Sequence, residues 1–266
     1  EKGSQATPWT PAPEDLGLNY PDSIQNFNSS ISGNNIIAPE FIEGYPFVKP
    51  VIDDSLVLWL DGSTGNNYKK TGIWKDLSGN GNDGQLMNFD FTEDSGWVDG
   101  GLRFDGVDDY VTGTELRISD KANALELWVY TNSDNPQVFF ATNLGLGCGI
   151  NVRKEITLAA PNSKRAATFK NFIFGQWNHV VINYDQHQNP TAYFNSKPAE
   201  YGGVGNWAYR LNEYRIGAHQ GGTRPLEGKI GLIRIYNRAL TDEEILQNYR
   251  AGQCSPLLAM RGEVIG

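Results

Sequence analysis

The 266-residue sequence contains few of the side chains that cross-link a chain or bind metals, with two cysteines and three histidines. The cysteines, Cys148 and Cys254, are too few for a disulfide framework, and neither has the C-x-x-C neighbour of a zinc site or redox motif. We expect two free, partly buried thiols; the alternative is one long-range disulfide. The histidines His179, His187 and His219 lack the spacing of metal ligands.

Long hydrophobic runs and an excess of positive charge are also missing. No stretch approaches the run of about 18 apolar residues that indicates a membrane span, and the net charge is -9. A negative surface repels phosphate backbones and anionic membranes, so we expect neither a nucleic-acid partner nor membrane insertion. The opening stretch EKGSQATPWT has no starting methionine and no apolar signal-peptide run. We therefore expect a piece or processed product of a longer protein.

Glycine, proline and aromatic residues are plentiful, with 30 glycines, 13 prolines and 12% aromatic side chains, whereas apolar residues at helical spacing are scarce. This composition favours an all-β sandwich or barrel. From Ser55 onward, strand-like runs are separated by glycine, asparagine and aspartate at intervals of about ten residues, which is typical of a sandwich. The predicted strands are 55–60, 101–104, 109–113, 125–130, 137–141, 149–152, 155–159, 167–170, 177–185, 191–195, 214–217 and 229–237.

The composition also predicts how the chain is divided. Residues 1–52 form an extended arm or linker, because ATPWTPAPED has three prolines in ten positions and the next stretch is polar. Residues 53–252 form the one main domain, and residues 253–266 form a tail. Within the domain, LELWVY at 125–130 has large apolar side chains on both faces. This strand should therefore lie between layers or beneath a loop.

Only the segment TDEEILQNYRAG at 241–252 is predicted to be a helix. Thr241 as the N-cap and Glu244 three residues later match a capping box. Leu240 and Ile245 are placed to form the hydrophobic staple that accompanies such a cap. Gly252 lies where a C-terminal capping glycine is expected.

Eight sequence motifs follow one another across the predicted domain: LVLWLDGS, WKDLSGNGNDGQL, LRFDGVDDYV, LELWVY, FGQWNHVVINYD, AYFNSKPA, YRIGAH and PLEGKIGLIRIYNRALTDEEI. In this order they resemble the bacterial and phage members of the concanavalin A-like, laminin G-like jelly-roll superfamily. The resemblance covers roughly residues 53–252. It implies a jelly-roll sandwich of two antiparallel sheets with about six or seven strands each, one of them concave, and a helix at the end.

A second resemblance concerns the first fifteen residues, EKGSQATPWTPAPED. They are similar to a junction between modules of long phage tail and minor structural proteins. This resemblance implies that the chain is part of a virion or prophage tail protein, with a virion-associated or extracellular location.

The loop WKDLSGNGNDG at 74–84 matches the first half of a calcium loop, D-x-S-x-N-G, but Met87 stands where such a loop needs a bidentate glutamate. The favoured interpretation is a turn whose polar side chains bond their own backbone and whose glycines adopt positive φ. The alternative is implied by the resemblance, because superfamily members often hold one structural calcium ion near the sandwich edge. Its predicted ligands are Asp76, Asn82 and Asp83 together with Asp108 or Asp109 from DGVDDY.

The acidic residues argue against catalysis. Glucanases of the superfamily that the sequence resembles carry paired acids on one strand in an E-x-D-x-x-E arrangement, and this sequence has no such run. Glu126 stands alone in LELWVY, with Trp128 where the next acid would be. The acids Asp242, Glu243 and Glu244 are explained by the cap and dipole of the predicted helix. We expect no enzyme activity, and a glycoside hydrolase is the third-ranked alternative.

Carbohydrate binding is the favoured function. Sugar sites use aromatic faces with polar or charged neighbours. Trp207 and Tyr209 lie in a glycine-rich loop, and His219 and Arg224 follow in AHQGGTRP. The alternative role for Trp207 is a plug over a sheet edge. Trp59, Trp128 and Trp177 lie in strand patterns and are expected in the core.

These residues predict a non-catalytic, lectin-like recognition module that binds a glycan or protein of a host surface, within a phage tail or bacterial surface protein. The second hypothesis is an assembly domain that packs against neighbouring copies or modules, with a homo-oligomer as one outcome. The expected cofactor is at most one structural calcium ion.

Overall fold

A computed structural model describes residues 50–63, 72–98, 100–113, 116–119, 121–142, 147–159, 166–185, 190–200 and 213–253. All of them belong to one of the two units into which the chain divides, residues 40–266. They contain sixteen strands, one α-helix and a short 3-10 turn at Gln220–Gly222. The predicted arm and tail lie outside the described residues, except at their inner ends.

Half of the strands form one sheet, which we call sheet A. The strand order is β14-β13-β12-β7-β16-β5-β4, and β1 also pairs with β16, beyond the end of β5. All pairs are antiparallel. The strands are β1 (Leu56–Asp61), β4 (Gly96–Val98), β5 (Gly101–Asp105), β7 (Ala122–Tyr130), β12 (Trp177–Asp185), β13 (Thr191–Phe194), β14 (Lys197–Pro198) and β16 (Glu227–Tyr236).

The other half form sheet B, in the order β11-β10-β9-β8-β15-β6-β3-β2, also with antiparallel pairs. The strands are β2 (Ile73–Trp74), β3 (Gly84–Met87), β6 (Tyr110–Gly113), β8 (Gln137–Thr142), β9 (Gly147–Ile150), β10 (Ile156–Ala159), β11 (Ala166–Phe169) and β15 (Tyr214–Ile216). The two-sheet antiparallel sandwich predicted from the sequence is confirmed. The sequence missed β2, β3, β4 and β14, which have two to four residues each and show too little alternation to detect.

The main core lies between the two sheets. Alternate residues of β7 and β16, among them Leu127, Val129 and Ile233, meet aromatic side chains of sheet B such as Phe140 and Tyr214. Each of these five side chains is at most 2% exposed. Burial of this many apolar side chains is the main favourable term for such a sandwich. Cys148 in β9 is a free thiol in this core, and burial raises its pKa to about 12.

A second apolar cluster lies on the outer face of sheet A, by which we mean the face turned away from sheet B. Helix α1, Asp242–Gln253, covers this face. Its members Leu56, Ala124, Val181, Tyr236, Leu240 and Ile245 are buried. The prediction that LELWVY is covered on both faces is therefore right, and the cover is a helix instead of a loop.

Helix α1 begins as the sequence predicts. The backbone N–H of Thr241 donates to Oε2 of Glu244 at 2.9 Å, and the N–H of Glu244 donates to Oγ1 of Thr241 at 3.3 Å. Leu240 and Ile245 meet in the second cluster as a hydrophobic staple. The predicted role of Gly252 is wrong, because the helix includes it and ends one residue later.

Among the described residues, no helix combines the length and the hydrophobicity needed to cross a membrane.

Candidate functional site

The loop 74–84 is held together by the carboxylate of Asp76. Its Oδ1 accepts hydrogen bonds at 2.9 Å from the backbone N–H groups of Trp59 and Ser78. Its Oδ2 accepts the Ser78 hydroxyl at 2.8 Å and the Asn82 N–H at 2.9 Å. Both carboxylate oxygens therefore already serve two donors each, as in a turn that bonds its own backbone.

Other side chains of the loop fasten it to β1 and sheet B. The Asn80 amide donates to the Leu56 carbonyl at 2.9 Å, and the Asn82 amide donates to the Val57 carbonyl at 2.8 Å. The hydroxyl of Tyr214 donates to the Asn82 carbonyl at 2.9 Å. Gly79 and Gly81 adopt positive φ, as predicted, whereas Gly84 is already part of β3. The loop therefore bridges the two sheets.

The structure does not bring the four predicted calcium ligands together. Asp83 precedes β3 and accepts the Asp76 N–H at 2.9 Å, with Lys75 on its other oxygen. Asp108 precedes β6, the antiparallel partner of β3, so the two aspartates lie at opposite ends of this pair. The pair is four residues long, which separates these ends by roughly 13 Å. The calcium ion itself stays a prediction.

Asp108 belongs instead to an acidic turn with Asp105 and Asp109, whose carboxylate oxygens lie within 4.8 Å of one another. Oδ1 of Asp105 accepts the Val107 N–H at 2.8 Å, and Gly106 has a φ of 80°, as expected for the predicted turn. Asp109 is buried, with its oxygens on the Ser95 hydroxyl and the Asp105 N–H. Burial raises the pKa of Asp109 to about 6.

Two of the four predicted sugar contacts lie in the described part of the chain. His219 and Arg224 flank the 3-10 turn between β15 and β16, at the end of the sandwich where β7 turns into β8. We call residues 131–136 and 217–226 the rim. Arg224 is exposed, and its carbonyl accepts the Val138 N–H at 3.0 Å, which ties the turn to β8. Trp207 and Tyr209 lie outside the described residues.

Glu126 lies at the centre of a buried polar cluster between β7 and α1. It is completely buried. Its Oε1 lies 3.0 Å from Nε2 of His179 and accepts a bond from Arg234 at 3.1 Å. Its Oε2 accepts the Tyr236 hydroxyl at 3.2 Å and the Asn248 amide at 2.9 Å. Burial alone would raise the pKa of Glu126, but the Arg234 guanidinium and the bond to His179 hold it below its ordinary value.

This arrangement leaves Glu126 without access to a substrate. A general acid or nucleophile of a glycosidase must reach the glycosidic oxygen or carbon, with a second carboxylate nearby. Trp128 stacks on Tyr249 of α1 with ring centroids 5.7 Å apart, and these two rings cover the cluster. The sequence could not show this, because the partners of Glu126 come from three other elements.

The sequence from residue 105 to residue 246 matches the family described as the concanavalin A-like lectin/glucanases superfamily. The chain belongs to this superfamily. No curated protein sequence matches the chain. The superfamily assignment confirms the jelly-roll resemblance, whereas the resemblance of residues 1–15 to a phage tail junction stays a prediction.

Several solved structures share this fold. Sialidase from Trypanosoma rangeli, in complex with 2,3-difluoro-KDN, superimposes with a TM-score of 0.58 at 17% identity, over 82% of this chain and 37% of the sialidase. Domain 4 of AbnA, a GH43 extracellular arabinanase of Geobacillus stearothermophilus in complex with arabinotriose, gives 0.54 at 17% identity, over 73% of this chain and 98% of the domain. The chain thus corresponds to about a third of the sialidase and to nearly all of the arabinanase domain. At these identities the likeness shows the fold alone.

Two of the three tryptophans that the sequence places in the core are only partly buried, on the outer face of sheet A. Trp59 packs against the second apolar cluster, with the Arg234 guanidinium 5.2 Å from the centroid of its ring. Trp177 was expected inside the sandwich, but it lies on the outer face of sheet A, partly exposed, beside Tyr130. Trp128 is buried as expected, although under α1 and not between the sheets. Alternation along a strand separates two faces but does not tell which face meets the other sheet.

Proposed function

We propose that this superfamily domain is a non-catalytic glycan-binding module. The observation that carries the proposal is the burial of Glu126. Glu126 is the acid in β7 that was compared with the paired acids of the superfamily glucanases. It is fully buried and bonded to four side chains. Without an accessible acid on that strand, a domain with this fold can still bind a ligand, and binding is the function that we propose.

The structural neighbours support a saccharide ligand. The arabinanase domain that the chain matches over nearly its whole length was solved in complex with arabinotriose, and one matching sialidase was solved in complex with sialic acid. We extend this ligand class to the present domain as part of the proposal. The finer setting, a host-surface glycan bound by a phage tail or secreted bacterial surface protein, belongs to the same proposal.

The rim is the first place to test, because its predicted contacts combine aromatic and polar groups. Arg224 is exposed on a turn that two backbone bonds hold, His219 N–H to the Thr223 carbonyl and Val138 N–H to the Arg224 carbonyl, each 3.0 Å long. The backbone of the turn is thus fixed, and the guanidinium that it carries can donate to vicinal hydroxyls of a sugar. Trp207 and Tyr209 would supply the apolar faces.

A glycan array with the full chain tests this proposal. We expect retention of wild-type protein, loss of retention for Trp207→Ala without a shift in melting temperature, and weaker retention for Arg224→Ala. Arg117→Ala is the matched control, because Arg117 is an exposed arginine just before β7, at the end of the sandwich opposite the rim. Wild-type protein that no glycan retains would overturn the binding function. Release of reducing sugar from a polysaccharide would overturn its non-catalytic character.

A further inference from the structure

Four side chains form a row across the outer face of sheet A, next to the C-terminal end of α1. Trp177 pairs with Tyr130, Tyr130 pairs with Lys229, and Lys229 pairs with Arg103 in the strand register. Directly paired residues point to the same face of a sheet, so the row runs over β12, β7, β16 and β5. At the usual strand spacing it spans about 14 Å. We call these four residues the cross-strand row.

Contacts within the row show the common direction of its side chains. The rings of Trp177 and Tyr130 have centroids 5.9 Å apart at an interplanar angle of 58°. The ammonium of Lys229 lies 5.4 Å from the centroid of the Tyr130 ring. All four residues are partly exposed. The row therefore presents two aromatic rings at one end and two cations at the other.

We propose that the cross-strand row binds an anionic saccharide, one that carries carboxylate groups, with a sugar ring on Trp177 and Tyr130 and a carboxylate at Lys229 and Arg103. The proposal rests on the proposed function and names its ligand class and a second contact surface. Aromatic faces suit the apolar face of a sugar ring, and a guanidinium fork matches a carboxylate. The chain carries 22 basic and 31 acidic residues, and the row places two of the basic ones beside two partly exposed aromatic rings.

A carboxylate already occupies the place where a ligand's carboxylate would bind. Oδ1 of Asp94 lies 2.9 Å from the Arg103 guanidinium, and the two side chains are 82% and 41% exposed. Exposed ion pairs of this kind contribute little to stability, so exchange of Asp94 for a ligand carboxylate costs little. Asp94 is an internal competitor for Arg103.

The acids nearby restrict the orientation of the ligand. Glu227 lies two residues before Lys229 in β16, and Asp105 lies two residues after Arg103 in β5. These two acids pair with each other and form the next row on the same face. A chain of acidic sugars laid along the strands would bring its carboxylates against these acids. The row therefore favours a saccharide that crosses the strands.

The experiment compares matched acidic and neutral saccharides by isothermal titration calorimetry with the full chain. The probes are trigalacturonic acid against its carboxyl-reduced form, and sialyllactose against its methyl ester. We expect wild-type protein to bind an acidic probe at least about tenfold more tightly than its neutral match, with an affinity that falls as sodium chloride rises.

The variants separate the two ends of the row. Tyr130→Ala should weaken the acidic probe about tenfold, and Lys229→Met with Arg103→Met should remove the preference over the neutral probe. Asp94→Asn should tighten acidic binding several-fold, because the competitor for Arg103 is gone. Arg117→Met, at an exposed position before β7, is the charge control and should bind as wild type. Melting temperatures within a few degrees of wild type establish that each variant folds.

Three results would overturn the inference: equal binding of acidic and neutral probes, unchanged binding in Lys229→Met with Arg103→Met, or weaker binding in Asp94→Asn. Glycan retention that depends on Arg224 or Trp207 and not on Tyr130 would leave the proposed function standing and overturn the row. A wild-type protein that binds no glycan of any kind would overturn the proposed function itself.

Discussion

The carboxylate of Asp76 shows how a side chain that resembles a metal ligand can be used entirely by the fold. It serves four donors, and one of them, the Trp59 N–H, belongs to β1 in the other sheet. Asp76 also forms an isolated bridge with Leu60. Short polar side chains between glycines predict such a turn, and this part of the site could be read from the sequence. The attachment to β1 could not, because it joins residues far apart in the chain.

Replacement of Asp76 by alanine should lower the free energy of unfolding by about 2–4 kcal/mol, since charged acceptors of several N–H groups contribute more than neutral ones. Urea denaturation followed by tryptophan fluorescence measures this loss. Asp90→Ala, at an exposed position in the next turn, is the matched control and should change stability by less than about 0.5 kcal/mol. Equal stabilities of the two variants would contradict the structural role of Asp76.

At the scale of elements, helix α1 determines which residues of sheet A remain accessible. Its start could be predicted, because a capping box and a staple are local signals read from adjacent residues. Its packing could not. Gly252 lies against the Trp128 indole, where a Cβ would come within 2.3 Å of Nε1. The side of the sheet on which Trp177 lies could not be predicted either, although the bounds of its strand, β12, were predicted correctly.

Gly252→Ala should therefore destabilise the protein by about 1–3 kcal/mol, because overpacking against a buried ring outweighs the gain of about 1 kcal/mol that alanine brings to a helix. Thermal unfolding followed by circular dichroism gives the sign directly. Gln253→Ala, next in the helix and exposed, loses only a bond to the Tyr249 hydroxyl and serves as the control. A Gly252→Ala protein more stable than wild type would show that α1 does not press on Trp128.

For the whole molecule, two buried acids make opposite contributions to the pH dependence of stability. The lowered pKa of Glu126 in the folded state means that its stabilisation is present above its ordinary pKa and is lost as the pH falls through the folded value. The pKa of Asp109 is raised to about 6, so its favourable contribution is present below its ordinary pKa and is lost as the pH rises through about 6. These two acids together place the maximum of stability at about pH 4.

The measurement is the free energy of unfolding from pH 3 to pH 8 in urea. We expect a loss of stability below about pH 4 and a decline of up to about 3 kcal/mol between pH 4 and pH 7 from the Asp109 carboxyl. Asp109→Asn should remove the decline at the higher pH and keep the acid loss. Glu126→Gln should be less stable than wild type near neutral pH by about 3–5 kcal/mol, because Arg234 would be left buried without its counter-charge. A profile of Asp109→Asn that parallels wild type throughout would contradict the assignment.

The contacts of Val51 have a mechanical consequence. Its N–H donates to Oδ1 of Asn248 at 2.7 Å, and its carbonyl accepts the Tyr236 hydroxyl at 3.0 Å. Tension applied at residues 50 and 253 would act first on these two hydrogen bonds, which join Val51 to α1 and β16. Only after they break would the load reach the β1–β16 ladder, where Leu56 and Tyr236 face each other and would separate one pair at a time. The Val51 bonds, together with the ion pair of Asp53 and Arg238 that joins the same two segments, therefore set the resistance of the domain to stretching, and the width of its sheets does not.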